Sequence, residues 1–357
     1  MDRTKRTFAA TFVVGAASAA FAASALGAVT GSGATFPRVA YENFCRDSGL
    51  CSYTAKGSTG GITDLSNGVV DFAGSDALLT PAQVGAVTSR GGGVYYFPTL
   101  LGAITVPTNI SGVAGRLKLD GKVVAGIFDG EITTWNNPAI VKTNPGVSLP
   151  GAPITVCVRA DGSGTSFNFS RYLTKVSASF KAKVNFGQTP PWTAPTIIRQ
   201  PGNAGVANCV KSNTNSIGYV DLADAINAAL NGKVSAIGRQ QVVKVKKKLV
   251  RKTVYLLPSA STISAAGKIP ASKIKPDLTI DFSASPIPGA YPITTTTWVL
   301  TYANYGQAGK GGAVGDVKNF LNYVYSAPAQ AKLPSLGFAA LPAGVITAAK
   351  AQLKKVS

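Results

Sequence analysis

Short apolar segments alternate with segments of helical periodicity along most of this chain. Strand-like runs rich in β-branched and aromatic residues occur in "SYTAKGSTGGITDLSNGVVDFAGSDALL", "YYFPTLLGAITVPTNI", "ITVCVRADGSG" and "NSIGYVDLADAINAAL", and helix-like stretches lie between them. This alternation is typical of α/β layers rather than of a β-sandwich. With 357 residues the chain is long enough for two domains, each with its own core.

One predicted helix begins directly after a turn rich in glycine and hydroxyl residues. In "RADGSGTSFNFSRYL" (159–173) the apolar residues Phe169, Tyr172 and Leu173 lie on one helix face, and Val176 continues it. The helix therefore begins after Gly164, and the turn lies at its N-terminus.

Two further turns have the same composition and position. They are "GSGATF" (31–36) and "GSTGG" (57–61). The apolar residues that follow them with helical spacing are Phe36, Ala40 and Phe44 after the first turn and Ile62 and Leu65 after the second. The sequence thus predicts three helix N-termini of one kind.

The chemistry of these turns suits an anion. The first turn of a helix carries unpaired backbone N–H groups at the positive end of the helix dipole. Glycine allows close approach of the backbone, and Ser and Thr add short neutral donors. Arg159 adds a cation, whereas Asp76 in "VDFAGSDALL" is an unexpected carboxylate in such surroundings. Ordinary N-capping is the alternative for each turn taken singly.

The N-terminal segment has the features of a secretory signal peptide. Three basic residues within the first six precede an apolar run over residues 8–20, and Ala20-Phe21-Ala22 fits a small-residue cleavage site. Cleavage after Ala22 would place the mature protein in the periplasm or outside the cell. An uncleaved anchor helix is the alternative, although the apolar run is short for a membrane span.

The four cysteines, Cys45, Cys51, Cys157 and Cys209, fit an oxidising compartment. Cys45 with Cys51 would close a small loop and Cys157 with Cys209 a long one, but four cysteines allow three connectivities and the sequence does not choose among them. The chain has no histidine and no Cys-x-x-Cys spacing, so we expect no metal and no cofactor. No cysteine lies near the cleavage site, which argues against a bacterial lipid anchor.

The chain is strongly basic. Its formal net charge is +20, and +18 remains without residues 1–22, which hold three basic residues and one acidic residue. Much of the excess lies in the lysine-rich segment 242–252 of "VVKVKKKLVRKTVYLL". Apolar residues alternate with charges there, which predicts the exposed face of a hairpin. No nucleic-acid-binding motif accompanies it, so we expect no nucleic acid partner.

Several longer segments resemble one family, the extracytoplasmic phosphate-binding proteins of the phosphate-specific ABC transporter. They follow the family's order over most of residues 29–345. The segments are "GSGATFP" (31–37), "KGSTGGI" (56–62), "VDFAGSDALL" (70–79), "LKLDGKVVAGIFDGEITTWNNPAIVKTNPGVSLP" (117–150), "VRADGSGTSFNFSRYLTKVS" (158–177), "SIGYVD" (216–221) and "YPITTTTWVL" (291–300).

The resemblance implies an α/β fold of the two-domain periplasmic-binding-protein class (Venus-flytrap, type II), with the ligand cleft between domains joined by two crossover strands. Domain I would combine residues 29–106 and 291–357, and domain II would span residues 107–290. Residues 232–288 depart from the family pattern and have the character of a basic insertion. This insertion would attract phosphate, hold the protein to an anionic envelope or form a solubilising hairpin, and we favour the last.

The resemblance also implies phosphate contacts from both sides of the cleft. Carried over position by position, the contacts are Thr35, Phe36 (chiefly its N–H), Ser58 and Asp76 from domain I and Arg159, Ser163, Gly164 and Thr165 from domain II. In the family the aspartate two residues after the arginine, here Asp161, orients the arginine. A purely structural ion pair between Arg159 and Asp161 is the alternative.

The protonation of phosphate explains a carboxylate in such a cleft. At neutral pH phosphate keeps a proton on at least one oxygen and sulfate has none, so Asp76 would accept a hydrogen bond from phosphate and repel sulfate. A buried polar group left unpaired costs about 1–3 kcal/mol, so one acceptor is enough to discriminate. Arg159 would bind ligand oxygens through its planar fork while Asp161 partly neutralises its charge.

These features predict a high-affinity phosphate receptor, monomeric and without catalytic activity. It would deliver phosphate to a membrane permease driven by a cytoplasmic ATPase. An extracellular phosphatase on the same scaffold is one alternative, although the chain has no Gly-x-Ser-x-Gly elbow and no Walker-type loop. A binding protein for another oxyanion, or an envelope-attached protein, is the other alternative.

Overall fold

The computed structural model describes residues 28–245 and 248–357. The predicted signal peptide and its cleavage site lie outside these residues, and so do two lysines of the lysine-rich segment, Lys246 and Lys247. The strands of the described residues are β1 (Val29–Gly33), β2 (Cys51–Ala55), β3 (Phe72–Ser75), β4 (Val94–Thr105), β5 (Thr108–Asn109), β6 (Lys118–Asp120), β7 (Thr155–Arg159), β8 (Ile197–Gln200), β9 (Ser216–Gly218), β10 (Val220–Asp221), β11 (Ala236–Val245), β12 (Lys248–Leu256) and β13 (Thr294–Tyr302).

Helices connect most of these strands. The α-helices are α1 (Arg38–Ser48), α2 (Ser58–Ser66), α3 (Pro81–Gly91), α4 (Gly121–Phe128), α5 (Pro138–Val141), α6 (Gly164–Val176), α7 (Ala178–Lys183), α8 (Gly202–Ser212), α9 (Leu222–Asn227), α10 (Ala260–Ala266), α11 (Val314–Val324), α12 (Ala327–Lys332) and α13 (Ala343–Leu353). Short 3₁₀ turns lie at Asn231–Lys233, Ala271–Lys273, Gly311–Ala313 and Leu333–Leu336.

The first lobe is built on a six-stranded sheet in the order β2–β1–β3–β13–β4–β10. β1, β2 and β3 are parallel, since α1 and α2 return the chain between them. β13, from the C-terminal part of the chain, enters antiparallel between β3 and β4 and is buried along its whole length. Insertion of β13 places the run of threonines at 294–297 beside the end of β3.

The second lobe is built on a four-stranded sheet in the order β5–β9–β7–β8, in which β7 is parallel to both β8 and β9. A separate three-stranded sheet, β12–β11–β6, contains the basic segment. β11 and β12 form the antiparallel hairpin that the alternating pattern predicts. Leu249 on β12 is 74% exposed, so the far end of this hairpin extends away from the core.

The chain passes between the lobes more than once, and the lobes share backbone contacts. β10, which follows β9 directly, pairs with β4 of the first sheet. Part of the stretch predicted to belong to domain II also packs on the first lobe: the indole N–H of Trp298 donates to the Leu278 carbonyl at 2.9 Å, and α10 packs near Leu101 of β4. The domain boundaries at residues 106 and 290 stay a prediction.

Two disulfides fasten helices to neighbouring strands. Cys45 on α1 is bonded to Cys51 on β2, and Cys157 on β7 is bonded to Cys209 on α8. These are the small-loop and long-loop pairs among the connectivities that the sequence leaves open. The second bond joins the strand that ends at Arg159 to the helix that follows β8.

Candidate functional site

The predicted site residues follow the carboxyl ends of strands in both sheets. Thr35 follows β1, Ser58 follows β2 and Asp76 follows β3, whereas Arg159 ends β7 and leads into the turn before α6. In open α/β sheets, ligands bind at this edge of the strands. The two lobes present these edges to each other, so residues far apart in the chain meet in one interlobe cleft.

Ser58 lies where the N-termini of α2 and α6 meet. Its side chain is completely buried, and its Oγ accepts hydrogen bonds from the N–H of Asp76 at 3.3 Å and from the N–H of Gly164 at 3.1 Å. The N–H of Thr59 donates to the Gly162 carbonyl at 3.1 Å. The first turns of two helices from different lobes are therefore in direct contact.

Gly164 is a position that only glycine fits. A Cβ added there would lie 2.6 Å from the Ser58 Oγ and 2.7 Å from the Asp76 Oδ2. The absence of a side chain allows the α6 N-terminus to approach the carboxylate and the hydroxyl closely.

The remaining predicted residues of the α6 turn are buried at the same place. Ser163 is the N-cap of α6, and its Oγ accepts from the N–H of Ser166 at 3.0 Å. This is the ordinary capping role. Thr165 is completely buried, and its Oγ1 accepts from the Asn203 side chain at 3.2 Å.

The first turn after β1 contributes Thr35 and Phe36. The Thr35 Oγ1 accepts from the backbone N–H of Asn203 at 3.3 Å, which is another contact between the lobes. Phe36 is 1% exposed, and its ring packs edge-on against Phe338 in the first-lobe core. The helix begins at Arg38 rather than at Phe36, so Phe36 lies in the turn, where its N–H is not committed to a helical hydrogen bond.

Arg159 is held in place by two side chains and is 4% exposed. Its Nε donates to the Asp161 Oδ1 at 2.8 Å, its Nη2 pairs with the other oxygen of Asp161, and its Nη1 donates to the Asn203 Oδ1 at 2.8 Å. A guanidinium has five N–H donors, so donors remain after these three bonds. Burial would raise the pKa of Asp161, but its bonds to the Arg159 guanidinium bring that pKa below the ordinary value.

Asp76 is the predicted site residue whose pKa is raised by burial, so the fold disfavours its charged form. It is 1% exposed, and burial raises its pKa from 3.8 to about 7, although a hydrogen bond from Thr297 and the charge of Arg159 act in the opposite direction. The Thr297 Oγ1 donates to the Asp76 Oδ1 at 2.7 Å. The side chain of Asn168 donates to the Asp76 carbonyl.

Two residues of this cleft were missed by the sequence analysis. Asn203, in the first turn of α8, forms hydrogen bonds with Thr35, Arg159 and Thr165. Its Nδ2 also donates to the Asp221 Oδ2 at 2.8 Å. The signal for Asn203 is the Gln-Pro-Gly-Asn sequence between a strand and a helix, a turn without hydroxyls. Thr297 belongs to the quoted "YPITTTTWVL" segment, but nothing in that segment shows which of its threonines faces the cleft.

Two buried carboxyl groups, Asp221 and Asp224, lie beside the cleft, and the second forms an ion pair with Arg38. Asp221 caps α9, accepting from the N–H of Asp224 at 2.9 Å, and burial followed by the charge of Asp224 raises its pKa well above the ordinary value. Asp224, 2% exposed, receives a hydrogen bond at 2.8 Å from Arg38 of the first lobe. Ala225 of α9 packs with Val206 and Val210 of α8 in the second lobe, so this ion pair joins the two lobes.

A cavity of about 270 Å³ opens beside the cleft residues, lined by Thr35, Arg38, Ala55, Lys56, Asp161, Pro201, Gly202, Asn203 and Ala204. The basic side chains of Arg38 and Lys56 are part of this lining. A larger cavity of about 470 Å³ lies elsewhere, against the basic hairpin. Within residues 28–245 and 248–357, no group of three or more His, Cys, Asp and Glu side chains is arranged to hold a metal ion.

Residues 14–328 match the profile of the PBP superfamily domain. The phosphate-binding protein PstS of Xylella fastidiosa is 34% identical over 278 residues, which are 76% of this chain and 71% of that protein. This chain belongs to the PstS phosphate-binding family of the PBP superfamily.

Other members of the PstS family match over similar or greater lengths. PstS 3 of Mycobacterium leprae is 34% identical over 280 residues, or 77% of this chain and 71% of that protein. PstS of Haemophilus influenzae is 30% identical over 339 residues, or 91% of this chain and 92% of that protein.

Solved structures confirm the predicted two-domain α/β fold. A high-affinity periplasmic phosphate-binding protein (PfluDING), solved with phosphate bound, superposes with a TM-score of 0.67 at 22% identity, covering 91% of this chain and 93% of that one. The phosphate-binding protein of Stenotrophomonas maltophilia gives a TM-score of 0.65 at 21% identity over the same shares. In the described part of this PstS family member, no helix is long and apolar enough to traverse a bilayer.

Proposed function

We propose that this protein binds inorganic phosphate in the interlobe cleft and passes it to the permease of a phosphate ABC transporter. The observation that carries the proposal is the position of Asp76, a fully buried carboxyl that lies among helix N-termini and beside Arg159. A lone acceptor among many donors suits a tetrahedral oxyanion that still carries a proton. The PstS relatives, which are named phosphate-binding proteins, support the same ligand.

The donors come from both lobes. The proposed contacts are Thr35, the N–H of Phe36, and Ser58 on one side and Arg159, Ser163, Gly164 and Thr165 on the other. Most are neutral dipoles at the ends of helices, which stabilise an anion without a large fixed charge. Asp161 and Asn203 hold the Arg159 fork in one orientation, so little conformational entropy is lost when it binds.

Binding couples to closure because each lobe supplies only part of the donor set. Phosphate would satisfy both parts only when the lobes are together, so it favours the closed form by its difference in affinity for the two forms. The permease, driven by its cytoplasmic ATPase, would recognise that form. We place the protein outside the cytoplasm, as a monomer, and assign it no catalytic step.

Calorimetric titration of the mature protein with phosphate, arsenate and sulfate tests the proposal. We expect phosphate and arsenate to bind and sulfate not to bind at pH 8. Asp76→Asn should lose about 10- to 100-fold of the preference for phosphate over sulfate, because the amide donates to either ion. Asp316→Asn in α11 is the matched control and should behave as wild type. Equal affinity of the wild type for phosphate and sulfate would refute the role of Asp76.

The phosphatase alternative is tested with the same protein. Incubation with a range of phosphate monoesters should release no phosphate above the rate of the buffer. Release that is abolished by Arg159→Ala would assign the cleft to hydrolysis instead.

A further inference from the structure

A cavity of about 470 Å³ lies away from the interlobe cleft, and none of the proposed phosphate contacts lines it. We call it the hairpin cavity. Its walls are the start of α4, one face of α6, the base of the β11–β12 hairpin and the loop before β13. The lining residues used below are Asp120, Lys122, Val123, Tyr172, Val176 and Arg239. Its volume is within the range of small-molecule pockets.

The N-terminus of α4 opens into the hairpin cavity without a side-chain cap. Asp120 occupies the N-cap position, yet its carboxylate makes no hydrogen bond to the first turn of α4. The Asp120 Oδ1 instead accepts from the hydroxyl of Tyr255 on β12 at 2.8 Å. Backbone N–H groups at the start of α4 are thus left for another acceptor, since an aspartate here would ordinarily satisfy one of them.

The hydroxyl of Tyr172 is a second and independent sign of a missing partner. Tyr172 is 2% exposed, and its oxygen lies at the α4 N-terminus, where a Cβ on Gly121 would come within 2.6 Å of it. Among the described residues no group makes a hydrogen bond with this hydroxyl. Burial, then the charge of Asp120, raises the pKa of Tyr172 above its ordinary value, so the group remains a donor. The Tyr172 side chain is therefore buried, whereas its hydroxyl opens into the hairpin cavity, where it can donate to a bound acceptor.

Charge and apolar surface define the partner's chemistry. Lys122, Lys175 and Arg239 line the cavity against one carboxylate, Asp120. Lys175 is already bonded to Asp281 at 2.6 Å, whereas Lys122 stands exposed at the rim. Val123 and Val176 form apolar walls.

We propose that the hairpin cavity binds a small organic anion, whose carboxylate or phosphomonoester group is bound by the Tyr172 hydroxyl and the first turn of α4 while its apolar part lies against Val123 and Val176. One of the four walls is the base of the β11–β12 hairpin, formed by Gly238, Arg239, Gln240 and Thr253, so the basic hairpin would serve as part of a binding site. This site is separate from the interlobe cleft and does not depend on the function proposed for the cleft.

The experiment uses benzoate and phenyl phosphate as probes of the two acid groups, with benzyl alcohol as the neutral probe. Saturation-transfer NMR and calorimetry are performed with inorganic phosphate at the concentration of the protein. The interlobe cleft is then not available to the probes, and little free phosphate competes with them in the hairpin cavity. We expect at least one anionic probe to bind, and benzyl alcohol to bind about tenfold more weakly or not at all.

Two variants test whether the probe binds in the hairpin cavity. Val176→Phe should place a ring against the apolar wall where the probe would lie and weaken probe binding by about tenfold or more. Tyr172→Phe should weaken the anionic probe about tenfold, and it should leave the melting temperature unchanged because the hydroxyl has no partner to lose. Lys350→Glu, which changes an exposed charge on α13, should alter neither probe binding nor the melting temperature. Phosphate titration of all three variants should match the wild type.

Two results would overturn the proposal. One is the failure of both anionic probes to bind the wild type at 10 mM, about a hundredfold above a Kd of 0.1 mM. The other is unchanged binding of the probes to Val176→Phe and Tyr172→Phe, which would mean that the probes bind elsewhere.

Discussion

Asp76 shows how burial controls the chemistry of one residue. The unfolded chain would lose the Asp76 proton near its ordinary pKa of 3.8, whereas the folded protein keeps it up to about pH 7. A raised carboxyl pKa means that the native state binds more protons than the unfolded state between these values. The contribution of Asp76 to the stability of the empty closed form therefore falls as the pH rises from about 4 to about 7.

The protonation state of Asp76 should also set the discrimination against sulfate. Below pH 7 the neutral carboxyl donates a hydrogen bond that sulfate can accept, and above pH 7 the carboxylate repels sulfate. We expect sulfate affinity to increase by about tenfold or more between pH 8.5 and pH 5.5. Calorimetry at the two pH values measures this change, and sulfate itself does not titrate in this range.

Asp76→Asn is the control for that pH dependence. The amide has no proton to lose, so this variant should bind sulfate similarly at both pH values. Wild-type sulfate binding that is as weak at pH 5.5 as at pH 8.5 would contradict a pKa near 7 in the binding-competent form.

We expect the Asn203 side chain to contribute to phosphate affinity as strongly as a direct contact does. Asn203→Ala removes the acceptor for the Arg159 Nη1 and the donor for Thr165. Among the described residues, the Arg159 guanidinium then keeps only Asp161 as a side-chain partner. We expect the Kd for phosphate to rise by about 10- to 100-fold. Asn213→Ala at the other end of α8 is the comparison and should change the Kd by less than a factor of about two. Equal effects of the two substitutions would argue against a specific role for Asn203.

At the scale of elements, β7 and α8 form the support of the second-lobe half of the site. β7 ends at Arg159, Asn203 lies in the first turn of α8, and the Cys157–Cys209 disulfide joins the two elements. The other disulfide joins α1 to β2 on the first lobe and closes a sequence separation of only 6, against 52 for Cys157–Cys209. A longer closed loop restricts the unfolded chain more.

Removal of the two disulfides should therefore have unequal effects. Paired Cys→Ala substitution at Cys157 and Cys209 should lower the free energy of unfolding by about 4 kcal/mol, and at Cys45 and Cys51 by about 2 kcal/mol. Urea unfolding with intrinsic tryptophan fluorescence measures both. A larger loss for the Cys45 and Cys51 pair would show that loop length does not determine the effect here.

At the scale of the whole molecule, the two lobes are held together by contacts that surround the cleft. Ser58 bonds to Gly164, Asn203 bonds to Thr35, and Arg38 of α1 forms an ion pair with the buried Asp224 of α9. Opening the lobes would break all of these contacts. The equilibrium between open and closed forms is therefore sensitive to changes that touch no ligand.

Arg38→Ala should shift that equilibrium towards the open form. The substitution leaves the Asp224 carboxylate, 2% exposed, without its cation in the closed form, which disfavours closure. Small-angle X-ray scattering without phosphate should give a larger radius of gyration, and the phosphate Kd should rise about three- to tenfold. Arg46→Ala, on the same helix but 68% exposed, should change neither quantity. Unchanged scattering for Arg38→Ala would mean that this ion pair does not stabilise the closed form.

The sequence by itself determined the local structure of this protein. The alternation of apolar runs with helical periodicity predicted the α/β class. The first and third glycine-hydroxyl turns predicted the starts of α1 and α6 to within two residues, whereas α2 begins at Ser58, inside the second turn and before the predicted Ile62. The lysine-rich pattern likewise predicted the β11–β12 hairpin. These features depend on neighbours a few positions away in the chain, so they are visible in its sequence.

Only the tertiary structure decided which of these parts meet. Insertion of β13 between β3 and β4 brings Thr297 to Asp76, and the parallel pairing of β7 with β8 brings Asn203 to Arg159. Tertiary contacts likewise select one of the three cysteine connectivities and bring together the walls of the hairpin cavity. Each depends on contacts between segments far apart in the chain, and no local pattern records which distant strand becomes a neighbour.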